Sequence, residues 1–190
     1  MGLLLAAGRG RRFDSTGERD KLRQTLPDGR MVAAAAAASL LAGVHRVAAV
    51  VNPDANVLAS ELAALGCEIV ICKNADDGMA ASLVTALTHT ADAAGWLIAL
   101  ADMPHVKPAT IAVLAAAISA GAEIAVPTYR GQRGNPVAFG PVHLPQLLQL
   151  TGDQGARTLL TKSSVIEIAV DDPGVHLDID APADLQRCAS

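Results

Sequence analysis

An α/β architecture, with a mostly parallel sheet covered by helices on both faces, is predicted by three features of the 190-residue chain. Short apolar runs alternate with helical stretches up to about residue 127, and a glycine stands after each helical stretch. Half of the residues are apolar but only 2% are aromatic, so the core is built from Ala, Val, Leu and Ile, which suits helices lying close on a sheet. At this length one core is expected, hence a single domain over residues 1–190.

The elements follow in order. Leu3–Ala7 reads as the first strand, Arg46–Val51 as the second, Glu68–Cys72 as the third, Trp96–Ala101 as the fourth and Glu123–Pro127 as the fifth. Between them Val32–Ala42, Ala55–Leu65, Met79–Ala93 and Pro108–Ala120 have helical length and composition. Gly43, Gly66, Gly95 and Gly121 stand where a left-handed C-terminal residue ends a helix. The alanine run Ala33–Ala38 reads as a close-packing helix, since alanine is the best helix former. Parallel strands in this order imply right-handed crossovers. After Pro127 the pattern changes: a glycine-rich stretch precedes a short strand at Val137–Phe139, helical stretches near His143–Leu150 and Gln154–Lys162, and a last strand at Val165–Val170. This second half is expected to elaborate the sheet edge and bind a second substrate.

Charge is unevenly placed. Net charge is −4, which with the scarce aromatics argues against a nucleic-acid partner. Yet Arg9, Arg11, Arg12, Arg19, Lys21 and Arg23 crowd a short stretch, as a localised anion site requires; solvated loop arginines are the alternative. Cys67, Cys72 and Cys188 show no metal or disulfide spacing and read as reduced thiols in the cytoplasm. The apolar runs are cut by Gly, Pro or charge, so neither secretion nor a membrane partner is expected.

Candidate chemistry lies at the ends of strands. Gly8 and Gly10 follow the first strand, where bare backbone turns its N–H groups toward an anion. GxGxxG fails at Phe13, and the GxxxxGK[ST] pattern is absent. Arg12 as a two-oxygen fork and Lys21 as a mobile point charge together suggest a polyphosphate. In "WLIALADMP" a buried strand runs into Asp102, a hard oxygen ligand for Mg²⁺ or else a turn aspartate ahead of Pro104. In "HLDIDAPADL", Asp178 and Asp180 share one face of an extended segment, and Asp180 serves either as a second metal carboxylate or as a cap for the helix begun by Pro182. "NADDGMAASL" places Asn74, Gly78 and Ser82 at a strand-to-helix turn suited to a base or ribose edge, with Asp76 or Asp77 as simple caps the alternative. The five histidines lack ligand spacing and read as ordinary surface or core residues, with His105 kept in view because it follows Asp102 closely.

The blocks "LLLAAGRGRRF" with Lys21, "DDGMAASL", "ALADMP", "RGQRGNPVAF", "GDQGAR" and "DIDAPADL" resemble, in order, those of the molybdenum cofactor guanylyl- and cytidylyltransferases and their sugar-nucleotide relatives. That resemblance implies a three-layer α/β/α, Rossmann-like fold of the nucleotide-diphospho-sugar transferase type, with residues 1–105 binding nucleotide and 106–190 the acceptor. It implies that Leu5, Ala6, Ala7, Gly8, Gly10, Arg12 and Lys21 hold a triphosphate, with Asn74, Gly78 and Ser82 around the nucleoside. Arg12, Lys21 and Asp102 would be catalytic, Asp102 and Asp180 would hold Mg²⁺, and Arg133, Gly134, Asn135, Gly152, Asp153 and Arg157 would face the acceptor. Ala6–Ala7–Gly8 is similar to the cytidine-using branch, because a bulkier turn leaves less room for a purine. The implied substrates are CTP and molybdenum-bearing molybdopterin, and a molybdenum hydroxylase apoenzyme is an implied partner. A guanylyl or other transferase acting on a sugar phosphate, and a non-catalytic molybdenum cofactor carrier, fit the same residues. The chain departs from the pattern at Asp14, where relatives carry glycine, and at Asn135, where histidine is expected.

Overall fold

In the computed structural model, residues 1–8, 10, 13–14, 19–152, 155–161 and 164–186 are described. Among the described residues, five α-helices and eight strands make up the regular elements, together with several short 3₁₀ turns. β1 (Gly2–Leu5), β2 (Val47–Val51), β3 (Glu68–Ile71) and β4 (Trp96–Leu100) are parallel, in the spatial order β3-β2-β1-β4. α1 (Val32–Gly43), α2 (Asn56–Ala64), α3 (Met79–His89) and α4 (Pro108–Ser119) connect successive strands up to β5 (Ile124–Tyr129). These bounds match the sequence reading within a residue or two, except that α3 stops at His89, where the backbone N–H of Thr90 closes the last turn on Ala86.

Strict alternation along the strands sorts the core into two layers. Leu4, Val47, Ala49, Val51, Leu97 and Ala125 face α1, α2 and α4, while Leu3, Ala48, Val50, Trp96, Ile98, Ile124 and Val126 face α3 and α5 (Leu144–Leu147). The fold is therefore a three-layer α/β/α arrangement. Ala33, Ala35 and Ala37 are fully buried, so the alanine run is a close-packed helix. Its last residue, Gly43, has no left-handed backbone; a Cβ there would collide with Ile111 of α4. Gly43 is thus kept bare by helix packing, whereas Gly66 and Gly121 do adopt positive φ.

The chain after β5 does more than extend an edge. β6 (Gln132–Arg133) pairs back on β5, and β7 (Val137–Phe139) runs antiparallel between β4 and β5, in the middle of the sheet. Phe139 and Ala138 are buried there, which accounts for the uninterrupted apolar character of that short strand. β8 (Val165–Ala169) pairs in parallel with β5. α1 and α2 lie on one face as the chain moves from β1 to β3, and α3 lies on the other as it returns to β4, so these crossovers share one hand. α4 lies on the α1 face although the chain still advances, so its crossover to β5 has the opposite hand and departs from the expected rule. The expected helices near 143–150 and 154–162 reduce to one four-residue α-turn and 3₁₀ turns. No helix among the described residues is long and apolar enough to cross a membrane.

Candidate active site

β1 is the switch point of the sheet: its neighbour on one side is β2 and on the other β4, with the chain departing in opposite directions. Open α/β sheets bind ligands in the crevice that this reversal leaves at the carboxyl ends of the strands. A cleft of about 470 Å³ occupies that place, lined by Leu5, Ala7, Gly8, Gly10, Lys21, Gly78, Ser82, Asp102, Asp178 and Asp180 among others.

The turn after β1 is fixed by its neighbours. Ala6 N–H donates to Val50 O at 2.9 Å, and Asn52 Nδ2 donates to Ala7 O at 2.6 Å. Gly10 O accepts from the N–H groups of Phe13 and Asp14. Gly10 has φ +58°, and a Cβ there would meet Lys21 Cγ at 3.2 Å. A bare backbone is thus needed both for the turn and for the lysine stem beside it. Lys21 opens a 3₁₀ turn whose N-cap, Asp20, accepts from Leu22 N–H at 3.0 Å, and buried Leu22 anchors it. Phe13 packs with Val32, Ile179 and Leu185, tying this loop to the segment that carries Asp180.

Lys21 joins the two carboxylates at the cleft floor. Its Nζ lies 2.6 Å from Asp102 Oδ2 and 3.3 Å from Asp180 Oδ1. Only 11% of the Lys21 side chain is exposed, against 20% for Asp102 and 37% for Asp180. Asp102 follows β4, and its carbonyl accepts from Ile179 N–H at 2.9 Å, which brings the C-terminal segment alongside. Asp180 is held from behind: buried Asp184 Oδ2 accepts from the backbone N–H groups of Asp180 (3.0 Å) and Ala181 (2.7 Å). Asp184, inside the turn begun by Pro182, thus reaches back to the backbone that precedes it, as the third residue of a capping box does. Asp102 Oδ1 is buried and makes no hydrogen bond among the described residues. An orphaned carboxylate oxygen beside a second carboxylate is the donor set that a hard divalent cation prefers, so the residues fit such an ion. Asp178 also lines the cleft.

The nucleoside candidates divide. Gly78 and Ser82 line the cleft with Ala75, Asp76 and Met79. Gly78 adopts φ 110°, ψ 179°, a conformation that glycine alone tolerates, and so turns the chain into α3 at the cleft wall. Asn74 lies instead in a neighbouring groove of about 720 Å³ between β3 and α3, together with Gly152. That groove is the larger hollow, but among the described residues no lysine or arginine lines it. Asn74 Oδ1 accepts from the Cys72 thiol at 3.5 Å.

Among the described residues, the acceptor candidates do not line the cleft. Arg133, on β6, is paired with Glu167 of β8, its Nε 2.8 Å from Oε1. Gly134 lies against Val175, where a Cβ would meet the Val175 carbonyl at 2.7 Å. Asn135 N–H donates to that same carbonyl, and its Nδ2 to Met103 Sδ at 3.3 Å. Gly152 O accepts from Ala80 N–H at 3.0 Å, which fastens its segment to the start of α3. Arg9, Arg11, Arg12, Asp153 and Cys188 lie outside the described residues, as does the side chain of Arg157. His105, close to Asp102 in sequence, does not line the cleft; burial pushes its pKa down, Asp28 raises it and Arg30 lowers it. Asn52, Asp76, Met79 and Asp184 were not singled out as site residues by sequence reasoning. An asparagine directly after β2, level with the glycine turn, is the one signal that would have found Asn52.

Comparison with known proteins gives a consistent result. The structure of Rv0371c from Mycobacterium tuberculosis H37Rv superposes with a TM-score of 0.81 at 30% identity, covering 96% of this chain and 93% of that one. A manganese complex of Rv0371c matches with a TM-score of 0.79 at 27% identity, covering 96% and 94%. A molybdopterin-guanine dinucleotide biosynthesis protein A from Archaeoglobus fulgidus shares the fold at 20% identity and a TM-score of 0.67, covering 97% and 95%. No curated protein sequence matches the chain. The model of the MobA-like NTP transferase domain matches residues 2–167, and the chain therefore belongs to that family of nucleotidyltransferases.

Proposed function

We propose that the protein transfers CMP from CTP to the terminal phosphate of molybdenum-bearing molybdopterin, releasing pyrophosphate, with Mg²⁺ as the metal. The observation that carries this reading is the meeting of a glycine turn, an ammonium and two carboxylates in one cleft at the sheet's switch point. Asp102 and Asp180 would hold the cation, a role supported by the manganese complex of Rv0371c. When bound, the cation supplies Lewis-acid charge neutralisation of the phosphates. The acceptor phosphate oxygen attacks the α-phosphorus in line as the bond to pyrophosphate breaks, and the negative charge passes to that leaving group.

The chain's own residues position and neutralise. Backbone N–H groups of the turn at Gly8 and Gly10 cradle the triphosphate. Lys21, released from the carboxylates, carries its ammonium to the leaving pyrophosphate, and Arg12 adds a two-oxygen fork. Gly78 and Ser82 border the nucleoside. Ala7 narrows the cleft where a glycine would widen it, which supports a pyrimidine over a purine. The kinship of the fold to a molybdopterin-guanine dinucleotide biosynthesis protein supports a pterin acceptor, and Arg133, Asn135, Gly152, Asp153 and Arg157 are proposed to serve it once it is bound.

Asp102→Asn tests the assignment. Pyrophosphate release with CTP and the molybdenum-bearing acceptor should fall by at least about a hundredfold, while the circular dichroism spectrum is unchanged. A wild-type rate in this variant would remove Asp102 from the mechanism, and CTP that binds without ever being converted would favour a carrier.

A further inference from the structure

We infer that Asn52 is a positioning residue for phosphate binding: by holding the Ala7 carbonyl it aims the Gly8 N–H into the cleft. The inference rests on the proposed binding of a nucleoside triphosphate at this turn.

Asn52 Nδ2 reaches Ala7 O at 2.6 Å, the shortest contact made by any side chain to the backbone of the turn after β1 among the described residues. Both ends of the contact are fixed. Asn52 directly follows β2, with Val51 paired to Ile71 and its carbonyl accepting from Cys72 N–H at 2.9 Å. The Asn52 carbonyl in turn accepts from Ala55 N–H at 3.1 Å, closing the turn over Pro53 and Asp54. Its side chain therefore approaches the glycine turn from a rigid base.

The consequence comes from the planarity of the peptide unit. In a trans peptide the C=O and the following N–H point in opposite directions. The Ala7–Gly8 bond is trans, the one cis bond among the described residues being Asn135–Pro136. Asn52 stands at the carboxyl end of β2, on one side of β1, while Asp102 follows β4 on the other. Pulling the Ala7 carbonyl toward β2 turns the Gly8 N–H toward β4, Lys21 and Asp102. Gly8 is exposed, lines the cleft, and its N–H donates to no backbone carbonyl among the described residues. It is a donor left open in the direction an anion would occupy.

Asn52→Asp is nearly isosteric, removes the donor and sets an oxygen against the Ala7 carbonyl. The peptide is then free to rotate, and the Gly8 N–H loses its aim. Affinity for CTP with Mg²⁺, and for inorganic pyrophosphate as a probe of the phosphate subsite alone, should fall about tenfold to a hundredfold, the worth of one hydrogen bond to a charged group. The loss should appear in KM, with kcat changed less. In the ¹H–¹⁵N spectrum, pyrophosphate should shift the Gly8 amide of the wild-type protein and leave it unmoved in Asn52→Asp. Asn52→Ser, which restores a donor, should recover part of the shift. Equal pyrophosphate affinity and an equal Gly8 shift in wild type and Asn52→Asp would overturn the inference while leaving the nucleotidyltransferase reading intact. If the wild-type protein bound neither CTP nor pyrophosphate, that reading itself would fail, and the inference with it.

Discussion

Replacing Lys21 with methionine keeps the length of the side chain and removes the charge that joins Asp102 to Asp180. In the wild type the ammonium sits 2.6 Å from one carboxylate and 3.3 Å from the other, with 11% of the lysine side chain exposed. Exposed pairs are worth about 0–1 kcal/mol and breaking a buried one costs about 3–5 kcal/mol, so this half-screened triad should cost about 2 kcal/mol. For a chain of this size that corresponds to a fall in Tm of roughly 4–8 °C. The same substitution vacates the place between the carboxylates, so Mg²⁺ or Mn²⁺ should bind the nucleotide-free variant more tightly than the wild type. At a hundredfold excess over its Kd the cation returns about 2.7 kcal/mol, enough to restore the loss. Differential scanning fluorimetry with and without metal reads both effects. The reasoning is refuted if Lys21→Met melts at or above the wild-type temperature without metal, or if added metal fails to stabilise it.

Three further outcomes follow from neighbouring contacts. Asp184→Ala removes the acceptor for two backbone N–H groups beside Asp180; it should cost about 1–2 kcal/mol in denaturant unfolding and weaken Mn²⁺ binding, and Asp184→Asn should restore most of both. His105 has its pKa lowered from 6.5 by burial, so the unfolded chain takes up the proton first; its contribution to stability is complete above pH 6.5 and is lost as pH falls through the folded value. Urea titrations from pH 7 to pH 5 should therefore show a shallower decline in His105→Gln than in wild type, given that Asp28 and Arg30 act on the same imidazole in opposite senses. Burial pushes the Cys67 thiol up to about 11, so it should resist alkylation at pH 8 in the native protein and react on unfolding.

The first half of the fold was legible because each segment carries its own signal. Val47–Val51 is buried throughout and Trp96–Leu100 is buried over its first three residues; both read as continuous apolar runs, preceded by Arg46 and Gly95. The position of β7 was not legible, because a three-residue strand has no periodicity and its place between β4 and β5 is decided by long-range pairing. Gly43 illustrates a related limit: its place after a helical pattern suggests a C-cap, yet what excludes a side chain there is Ile111 on another helix. At the site, Gly8 and Asp102 stand out by residue type and by their position after strands, and Lys21 by its place in a cluster of basic residues. Asn52 and Asp184 did not, since each acts by a hydrogen bond to backbone that only the folded chain brings within reach. The acceptor residues are implied by sequence blocks alone, and Arg133 engages Glu167 through a β-sheet register that no spacing reveals.

The most direct test of the central claim is calorimetric titration of the wild-type protein and Asp102→Asn with CTP, GTP and ATP in the presence of Mg²⁺. The account predicts saturable binding of CTP in preference to the purine nucleotides, weakened in the variant as the cation loses its ligand. Preference for GTP or ATP would contradict the role given to Ala7, and absence of binding by all three would contradict the assignment of the cleft.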